Sequence, residues 1–367
     1  MKKNRVYINA YESLSCAGNT EQLMEAVYGN KAAVRQNSEY MPGTPVTLGS
    51  FAPNDFFDVL VSVTEEVLRK SNLKDFSKTL LIVGSSVGGI AKSEQSYFAE
   101  KSYASINPDE HAISVISDTL EKRFGFAGSR SFSTACTSSA NAMMIAQRLL
   151  RLNAYESVLV VGADALCYTT VCGFHALSVL SKEACTPFEK ERLGMNVAEG
   201  VAALLLQNEA GEDAIELCGS SGSSDAFHIT NPDPEARGAV ACMQSAIDDA
   251  GISVDQIDYV NAHGTGTMAN DTAEGRAVEI LMPHKPYMSS TKAITGHTLG
   301  AAGAMEAVVC CEVLKQQKIA PQCALKNPEN ENLNLPREAV ETTVRYALSN
   351  SFAFGGNNTA LVFGVVS

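Results

Sequence analysis

The stretch SVLVVGAD, residues 157–164, is a continuous apolar run that ends in a glycine, an alanine and an acidic residue. Runs of this kind are typical of strands that are buried on both faces of a sheet. TLLIVGSS (79–86) has the same form, and GVAALLLQN (200–208) is a third such run. Apolar residues at helical spacing lie between the runs, for example over 54–70, where we expect Asn54 to cap the helix. The alternation predicts an α/β fold with parallel strands.

The second half of the chain repeats this plan. Its predicted elements are the helix GAVACMQSAIDDAG (238–251), the strand-like IDYVNAHG (257–264), a helix after Gly300, and the closing strands YALSNSF (346–352) and TALVFGVV (359–366). We therefore predict two similar halves, residues 1–210 and 211–367, with no linker between them.

Two of the predicted helices begin with small side chains. One begins at Cys136 and runs through Met144 and Leu150, and the other covers 300–315. Each glycine costs a helix about 1 kcal/mol relative to alanine, so helix propensity does not explain these compositions. Because small side chains let backbones approach closely, we expect both helices to lie at the buried centre of the molecule.

The composition is that of a globular protein, with 45% hydrophobic and 19% charged residues among 367. No apolar run has the length of a secretory segment or of a membrane span, so we expect a cytoplasmic protein that has no membrane partner. The net charge of −13 without a basic tract argues against nucleic acid as a partner. Ten cysteines without CxxC pairs predict neither a metal site nor a disulfide framework.

Cys136 lies among small residues in FSTACTSSANAMM (132–144). A lone cysteine is most often a core residue, and this interpretation holds for the other nine, including Cys310 and Cys311. At the start of a helix, however, backbone N–H groups favour a thiolate and lower the thiol pKa from about 8.5. Cys136 is therefore either a small core residue or a nucleophile.

Two of the six histidines lie in glycine-rich loops. NAHGTGT (261–267) places His263 at the carboxyl end of a strand-like run, where open α/β sheets build their sites. STKAITGHTLGAAG (290–303) places His297 before the second small-residue helix and Lys292 five residues earlier. Together with a cysteine at a helix start, these loops indicate nucleophilic acyl chemistry. The remaining histidines are predicted to be surface or structural residues: His111, His175, His228 and His284.

Four motifs carry a family resemblance: ACTSS (135–139), NAHGTGT (261–267), STKAITGHTLGAAGAMEAV (290–308) and NSFAFGGNN (350–358). In this order they resemble the β-ketoacyl-acyl carrier protein synthases of the elongating Cys-His-His type, over essentially the whole chain. The resemblance implies a thiolase-like fold, in which two similar halves form an αβαβα arrangement. It also implies a dimer whose active sites lie near the interface, and a reaction that requires no metal or organic cofactor.

The resemblance also implies the roles of individual residues. Cys136 matches the nucleophile that accepts an acyl chain from carrier protein. His263 and His297 match the pair that polarises the malonyl thioester carbonyl as carbon dioxide leaves. Lys292 and Glu306 match a supporting charged pair, and the simpler interpretation is a paired charge of the interior.

The loop SFAFGG (351–356) matches the remaining part of the site. Phe354 matches a residue whose backbone N–H joins that of Cys136 in the oxyanion hole and whose ring gates the acyl pocket. Phe352, Gly355 and Gly356 match the supporting loop. In the simpler interpretation both phenylalanines are core aromatics, and the glycines serve only the backbone conformation.

The chain departs from the family pattern at several positions. Leu193 stands where an aspartate is common, Asn357 replaces a common threonine, and Asn196 replaces an apolar residue. The basic cluster that commonly precedes the helix near residue 55 is replaced by FAPNDFFD (51–58), which puts the usual carrier-docking surface in doubt. Alternative basic patches are Lys182, Lys190 and Arg192, or Arg148 and Arg151, unless these are ordinary solvated residues. The chain is also shorter than typical members, which suggests trimmed loops.

The implied activity is decarboxylative condensation of an acyl-enzyme thioester with malonyl-acyl carrier protein, in a fatty acid or a specialised polyketide or polyene pathway. The implied partners are acyl carrier protein and a second subunit, in a homodimer or in a heterodimer with a related chain. A non-catalytic chain-length partner is the alternative, but such partners usually lack the nucleophile. A thiolase predicts a second cysteine near the C-terminal glycine loop, whereas the nearest preceding one is Cys323. A cysteine hydrolase would not need both histidine loops and Lys292.

Overall fold

A computed structural model of the chain describes residues 4–51, 53–71 and 73–366. The elements up to residue 207 are, in chain order, β1 (Tyr7–Ser15), β2 (Gly18–Asn19), α1 (Thr20–Tyr28), β3 (Arg35–Asn37), β4 (Val46–Leu48), α2 (Phe56–Lys70), β5 (Thr79–Gly84), α3 (Ile90–Glu100), α4 (Pro108–His111), α5 (Ser114–Phe124), β6 (Gly128–Phe132), α6 (Ser138–Arg151), β7 (Ser157–Asp164), α7 (Tyr168–Ala176) and β8 (Gly200–Gln207).

The elements that follow are β9 (Ile215–Ser224), α8 (Arg237–Ala250), β10 (Tyr259–Asn261), α9 (Met268–Leu281), β11 (Tyr287–Ser289), α10 (Lys292–Thr295), α11 (Ala302–Gln316), β12 (Lys318–Ile319), β13 (Val340–Glu341), β14 (Tyr346–Ala353) and β15 (Asn357–Val365). Short 3-10 turns lie at Tyr103–Ser105, Val254–Gln256 and Leu299–Ala301.

The main sheet contains the same five-stranded arrangement twice. Its strand order is β11-β10-β14-β15-β9-β1-β8-β7-β5-β6, with β2 paired to β1 off this path. In each half the outer three strands are parallel and the next two pairings are antiparallel. The halves join where β1 pairs with β9. The predicted repeat is therefore confirmed, while the predicted boundary near residue 210 stays a prediction.

Helices and sheet halves alternate in five layers, as predicted. The outer face of the first half packs against α2 and α5. The central layer consists of α6 and α11, which contact strands of both halves. The outer face of the second half is covered by α8 and α9. The largest apolar core therefore surrounds the two small-residue helices.

Small residues are required where the two central helices meet. A Cβ atom on Gly303 would lie 2.7 Å from both the Cβ and the backbone N of Ala140 in α6. A Cβ on Gly162 in β7 would lie 2.8 Å from the Cβ atoms of Ala304 and Ser139. The backbone N–H of Ala304 also donates to Ser139 Oγ at 2.9 Å. These contacts confirm the prediction that both helices are buried at the centre.

The structure corrects the predicted direction of the third apolar run and the predicted start of the helix over 54–70. The third apolar run forms β8, which is antiparallel to β7. The chain leaves the sheet at Asp164, the last residue of β7, and re-enters it at Gly200, which is paired with Asp164. The two strands therefore run in opposite directions. The helix predicted over 54–70 begins at Phe56, and Asp55 caps it in place of Asn54 by accepting the N–H groups of the first turn.

Both central helices begin later than predicted. The first starts at Ser138, so that Cys136 precedes it by two residues. The second starts at Ala302, after the 3-10 turn Leu299–Ala301.

No helix in the described part of the chain is long and apolar enough to cross a membrane. The ten cysteines are all free thiols. The predicted halves reach residues 1 and 367, which lie outside the described residues, as does Ala52 in the stretch 51–58.

Candidate active site

One cavity of about 380 Å³ brings together five of the residues that match the family's active site: Cys136, His263, His297, Phe352 and Phe354. They come from four separate segments, namely the turn before α6, the loop after β10, the turn before α11 and the end of β14. The cavity therefore joins both halves of the repeat. Gly355 and Gly356 lie beside it without lining it.

The backbone around Cys136 is held in an uncommon conformation. Ala135 has φ +52°, in the left-handed region that non-glycine residues rarely adopt. Its carbonyl accepts hydrogen bonds from Ser86 Oγ at 2.8 Å and from Ser138 Oγ at 2.6 Å. These donors stabilise the strained residue, so the buried cysteine beside it has a fixed position before any substrate arrives.

The expected lowering of the Cys136 pKa is wrong. Burial raises the pKa of this thiol to about 12, and the positive charge of Lys292 only partly opposes the effect. The negative charges of Asp164 and Glu306 raise it further. Removing a thiolate from water therefore outweighs its position near a helix start. As a nucleophile, Cys136 needs a neighbouring group that accepts its proton.

Asp164, at the end of β7, connects the two halves next to Cys136. Its buried carboxylate accepts Ser85 Oγ at 2.5 Å, the N–H of Ser86 at 2.9 and 3.0 Å, and the N–H of Val87 at 2.9 Å. The N–H of Gly300 donates to it from the second half at 2.7 Å. Burial raises the pKa of Asp164 to about 6, although these hydrogen bonds act to lower it. Asp164 is the last residue of the apolar run 157–164, and nothing in that run indicates a role for it.

The two cavity histidines are neutral and face each other edge to face. Their ring centroids lie 5.1 Å apart, with an interplanar angle of 85°. Burial, followed by the charge of Lys292, lowers the pKa of both His263 and His297 well below 6.5. Each ring therefore has one N–H donor and one nitrogen that can accept a proton.

Hydrogen bonds distinguish the two rings. Lys292 Nζ lies 3.4 Å from His263 Nδ1, and because an ammonium group only donates, Nδ1 accepts and Nε2 carries the proton. His297 Nδ1 is buried and has no hydrogen-bond partner among the described residues. The backbone N–H of His297 donates to the carbonyl of Asn196 at 2.7 Å. That asparagine, one of the departures from the family pattern, is fully buried.

Lys292 and Glu306 form a buried ion pair behind the histidines. Lys292 Nζ also donates to the His263 carbonyl at 2.6 Å. Burial raises the pKa of Glu306 to about 7, and Lys292 opposes this. The second Glu306 oxygen, Oε2, is buried without a hydrogen-bond partner among the described residues. The pair is thus both an interior ion pair and a direct contact of His263.

Glu274 in α9 orients the His263 loop and was not identified from the sequence. Its carboxylate accepts the N–H groups of His263 and Gly264, both at 2.8 Å, and Nδ2 of Asn350 at 3.1 Å. Burial raises its pKa to about 7. An acidic residue in a helix resembles a surface residue, and no local pattern indicates that this one is buried.

The loop after β14 forms one side of the cavity. The ring of Phe352 is buried in the core and lies 6.1 Å from His263, so it is a core aromatic and a cavity residue at once. Phe354 is 36% exposed, and its ring centroid is 5.9 Å from that of Phe174. Gly355 (φ +86°) and Gly356 (φ +75°) adopt left-handed conformations, which agrees with a backbone requirement for glycine.

Only some residues of the two alternative basic patches lie at the surface. The Arg192 side chain is fully buried, 2.8 Å from Glu329 and 3.5 Å from Asp271, so its inclusion in a surface patch is wrong. Arg151 is mostly buried and pairs with Asp249 at 2.7 Å, which excludes it in the same way. The exposed residues of these patches are Lys182, Lys190 and Arg148.

Two family models match the chain. One, described as beta-ketoacyl synthase, N-terminal domain, matches residues 54–211, and the other, described as beta-ketoacyl synthase, C-terminal domain, matches residues 215–326. A 3-oxoacyl-[acyl-carrier-protein] synthase 2 from Coxiella burnetii is 30% identical over 413 residues, covering 100% of both chains. This relative therefore has segments that the present chain lacks. The enzyme of the same name from Staphylococcus aureus is 35% identical over 247 residues, covering 63% of this chain and 61% of its own.

Solved structures agree in fold. A ketosynthase (ApeO) in complex with its chain length factor (ApeC), from Xenorhabdus doucetiae, has a TM-score of 0.90 at 31% identity, over 99% of this chain and 98% of the other. A beta-ketoacyl synthase from Burkholderia phymatum has a TM-score of 0.90 at 25% identity, over 100% of both chains. The predicted thiolase-like fold is confirmed by these matches. Because both domain models match and a full-length relative is 30% identical, the chain belongs to the β-ketoacyl synthase family.

Proposed function

We propose that the chain condenses an acyl group held on Cys136 with malonyl-acyl carrier protein and releases a 3-oxoacyl-acyl carrier protein and carbon dioxide. The observation that carries this proposal is the shared cavity, in which Cys136 lies together with two neutral imidazoles. The reaction belongs to fatty acid synthesis or to a specialised polyketide or polyene pathway. It requires no metal or organic cofactor.

In the first half-reaction Cys136 attacks the thioester carbonyl of an acyl-carrier protein. Its thiol is protonated at neutral pH, so the proton passes to a neutral imidazole as the S–C bond forms. The thiol of the carrier leaves and takes up a proton. We assign the oxyanion hole to the backbone N–H groups of Cys136 and Phe354, the positions implied by the family motif.

In the second half-reaction malonyl-carrier protein loses carbon dioxide, and its thioester becomes an enolate. N–H donors of His263 and His297 stabilise the developing oxyanion. Such a donor in a dry site can contribute 100-fold or more to the rate. Lys292 supports this role because it holds the proton of His263 on Nε2. The enolate carbon then forms a C–C bond with the acyl carbonyl, and the Cys136 sulfur leaves as thiolate and is reprotonated.

Intact-protein mass spectrometry tests the assignment. Wild-type chain incubated with an acyl-acyl carrier protein should gain the mass of the acyl group, and addition of malonyl-carrier protein should remove it as condensation product. Cys136→Ala should do neither. Cys172→Ala is the matched control because that thiol is exposed and does not line the cavity. Acylation of Cys136→Ala at the wild-type rate would exclude Cys136 as the nucleophile.

We further propose that the chain works in the cytoplasm as a dimer, either with itself or with a related subunit. The second arrangement is favoured by the similarity to the ketosynthase that was solved with its chain length factor. Native mass spectrometry of the purified chain, alone and co-expressed with related chains, distinguishes the two. A chain-length partner is the alternative function, and it predicts no acylation in the mass experiment.

A further inference from the structure

Exposed apolar side chains are concentrated around the mouth of the catalytic cavity. Leu177, Leu193 and Met268 line the cavity, yet each is at least half exposed to solvent. Phe227 and Ile229 lie on the neighbouring loop and are 51% and 76% exposed. This loop is fastened to the Phe354 loop, because Gly355 donates its N–H to the Ile229 carbonyl at 2.8 Å. We call these five side chains the apolar rim.

The mouth is almost without net charge. The two histidines are neutral, and the charged residues among those that line the cavity are Arg192 and Asp225. The guanidinium of Arg192 is compensated by Asp271 and Glu329. The carboxylate of Asp225 accepts Nδ2 of Asn358 at 2.6 Å and the backbone N–H of Asp233 at 3.2 Å. A ligand at the mouth therefore meets mainly apolar and neutral groups.

The exposed cations of the segment that precedes Leu193 include Lys190, which has acidic neighbours. Lys190, three residues before Leu193, lines a depression together with Lys326 and Arg337, but Glu191 and Glu331 line the same depression. An exposed ion pair contributes little to binding and is screened by salt. Burying an apolar side chain of the size of leucine contributes more than an exposed ion pair does. Apolar contact therefore outweighs charge on this face.

We propose that the acyl carrier protein docks on the apolar rim mainly through apolar contacts, and that its binding depends only weakly on ionic strength. This inference rests on the proposed function. A substrate tethered to the carrier has to pass through the mouth to reach Cys136, so the body of the carrier has to lie against the side chains around it. Exposed apolar side chains that cluster on one face in this way are typical of protein interaction sites.

The test compares two acyl donors that differ only in the carrier: octanoyl-acyl carrier protein from a bacterial fatty acid synthase, and octanoyl-pantetheine. The rate of octanoyl transfer to Cys136 is followed by intact-protein mass, at salt concentrations from about 0.05 M to about 0.5 M. The rim variant is Phe227→Ser with Ile229→Ser, two exposed side chains that do not line the cavity. Leu152→Ser at the end of α6, 76% exposed, is the matched control.

We expect the rim variant to lower transfer from the carrier protein about tenfold more than transfer from octanoyl-pantetheine. The Leu152→Ser control should leave the ratio of the two transfer rates unchanged. Raising the salt concentration over this range should change the wild-type rate of transfer from the carrier protein less than about threefold. An equal effect of the rim variant on both donors, or a steep loss of carrier transfer with salt, would overturn the docking surface. A wild-type chain that accepts octanoyl from pantetheine but not from carrier would also overturn it and leave the nucleophile intact. Acceptance from neither donor would overturn the proposed function itself.

Discussion

Substitution of Lys292 by methionine separates the two interpretations of the buried ion pair. Lys292 pairs with Glu306 and also contacts both the carbonyl and Nδ1 of His263. Methionine keeps most of the volume of lysine but removes the charge and every donor. Glu306 is then left as an unpaired acid in the interior, and its Oε2 already has no hydrogen-bond partner in the described part of the chain.

The expected loss of stability follows from this burial. Removing one member of a buried ion pair costs about 3–5 kcal/mol. For a chain of 367 residues this corresponds to a fall in Tm of about 4–6 °C. The double variant Lys292→Met with Glu306→Leu removes both charges and should regain most of that loss. Lys78→Met is the matched control, since its partner Glu156 lies 2.7 Å away in an exposed pair, and it should cost less than about 1 kcal/mol.

Activity should not follow stability in this series. Without an ammonium group at Nδ1, the proton of His263 is no longer held on Nε2, and we expect condensation to fall about 100-fold or more in both the single and the double variant. Scanning calorimetry gives Tm, and product mass after single-turnover condensation gives the rate. If the double variant regains both stability and rate, Lys292 serves only the interior. If Lys292→Met keeps the wild-type Tm, the premise of a buried ion pair is wrong.

Three further predictions address the cysteine, the carboxylate beside it and the helix contact. Because burial raises the pKa of Cys136 to about 12, its alkylation by iodoacetamide should accelerate with every pH unit up to at least pH 9, and a plateau below pH 8 would contradict this. Asp164→Asn leaves fewer acceptors for the buried donors around it, so acyl transfer to Cys136 should slow and Tm should fall by a few degrees, whereas an unchanged rate would exclude a positioning role. Gly303→Ala places a Cβ 2.7 Å from Ala140 and should cost about 1–3 kcal/mol in chemical denaturation, while Gly211→Ala, whose nearest neighbour would be 3.3 Å away at the surface, should cost less.

The residues predicted most successfully belong to short motifs. Cys136, His263 and His297 were selected because each lies in a loop of small residues next to a predicted strand or helix, and the structure places all three around one cavity. Their roles in the reaction stay proposals until the mass experiments are done. The pairing of Lys292 with Glu306, which the family resemblance implied, is present in the structure as a buried ion pair.

The residues that were missed act through partners distant in the chain. Asp164 accepts a hydrogen bond from Gly300, and Glu274 holds the N–H of His263. Neither carboxylate differs locally from an ordinary acidic residue. For Arg192 the prediction of surface exposure was wrong. A basic residue in a polar stretch resembles a surface residue until its partners, here Asp271 and Glu329, are known.

The sequence by itself determined the alternation of strands and helices, the repetition of that plan, and the small-residue helices at the centre. These features depend on neighbours within a few residues, so periodicity and composition express them directly. Only the tertiary structure decided the direction of β8, the burial of Arg192 and the raised pKa of Cys136. The direction of β8 depends on where the chain re-enters the sheet beside β7, and the burial of Arg192 and the raised pKa of Cys136 depend on which distant groups exclude water from these side chains. None of these properties is encoded by neighbours in the sequence.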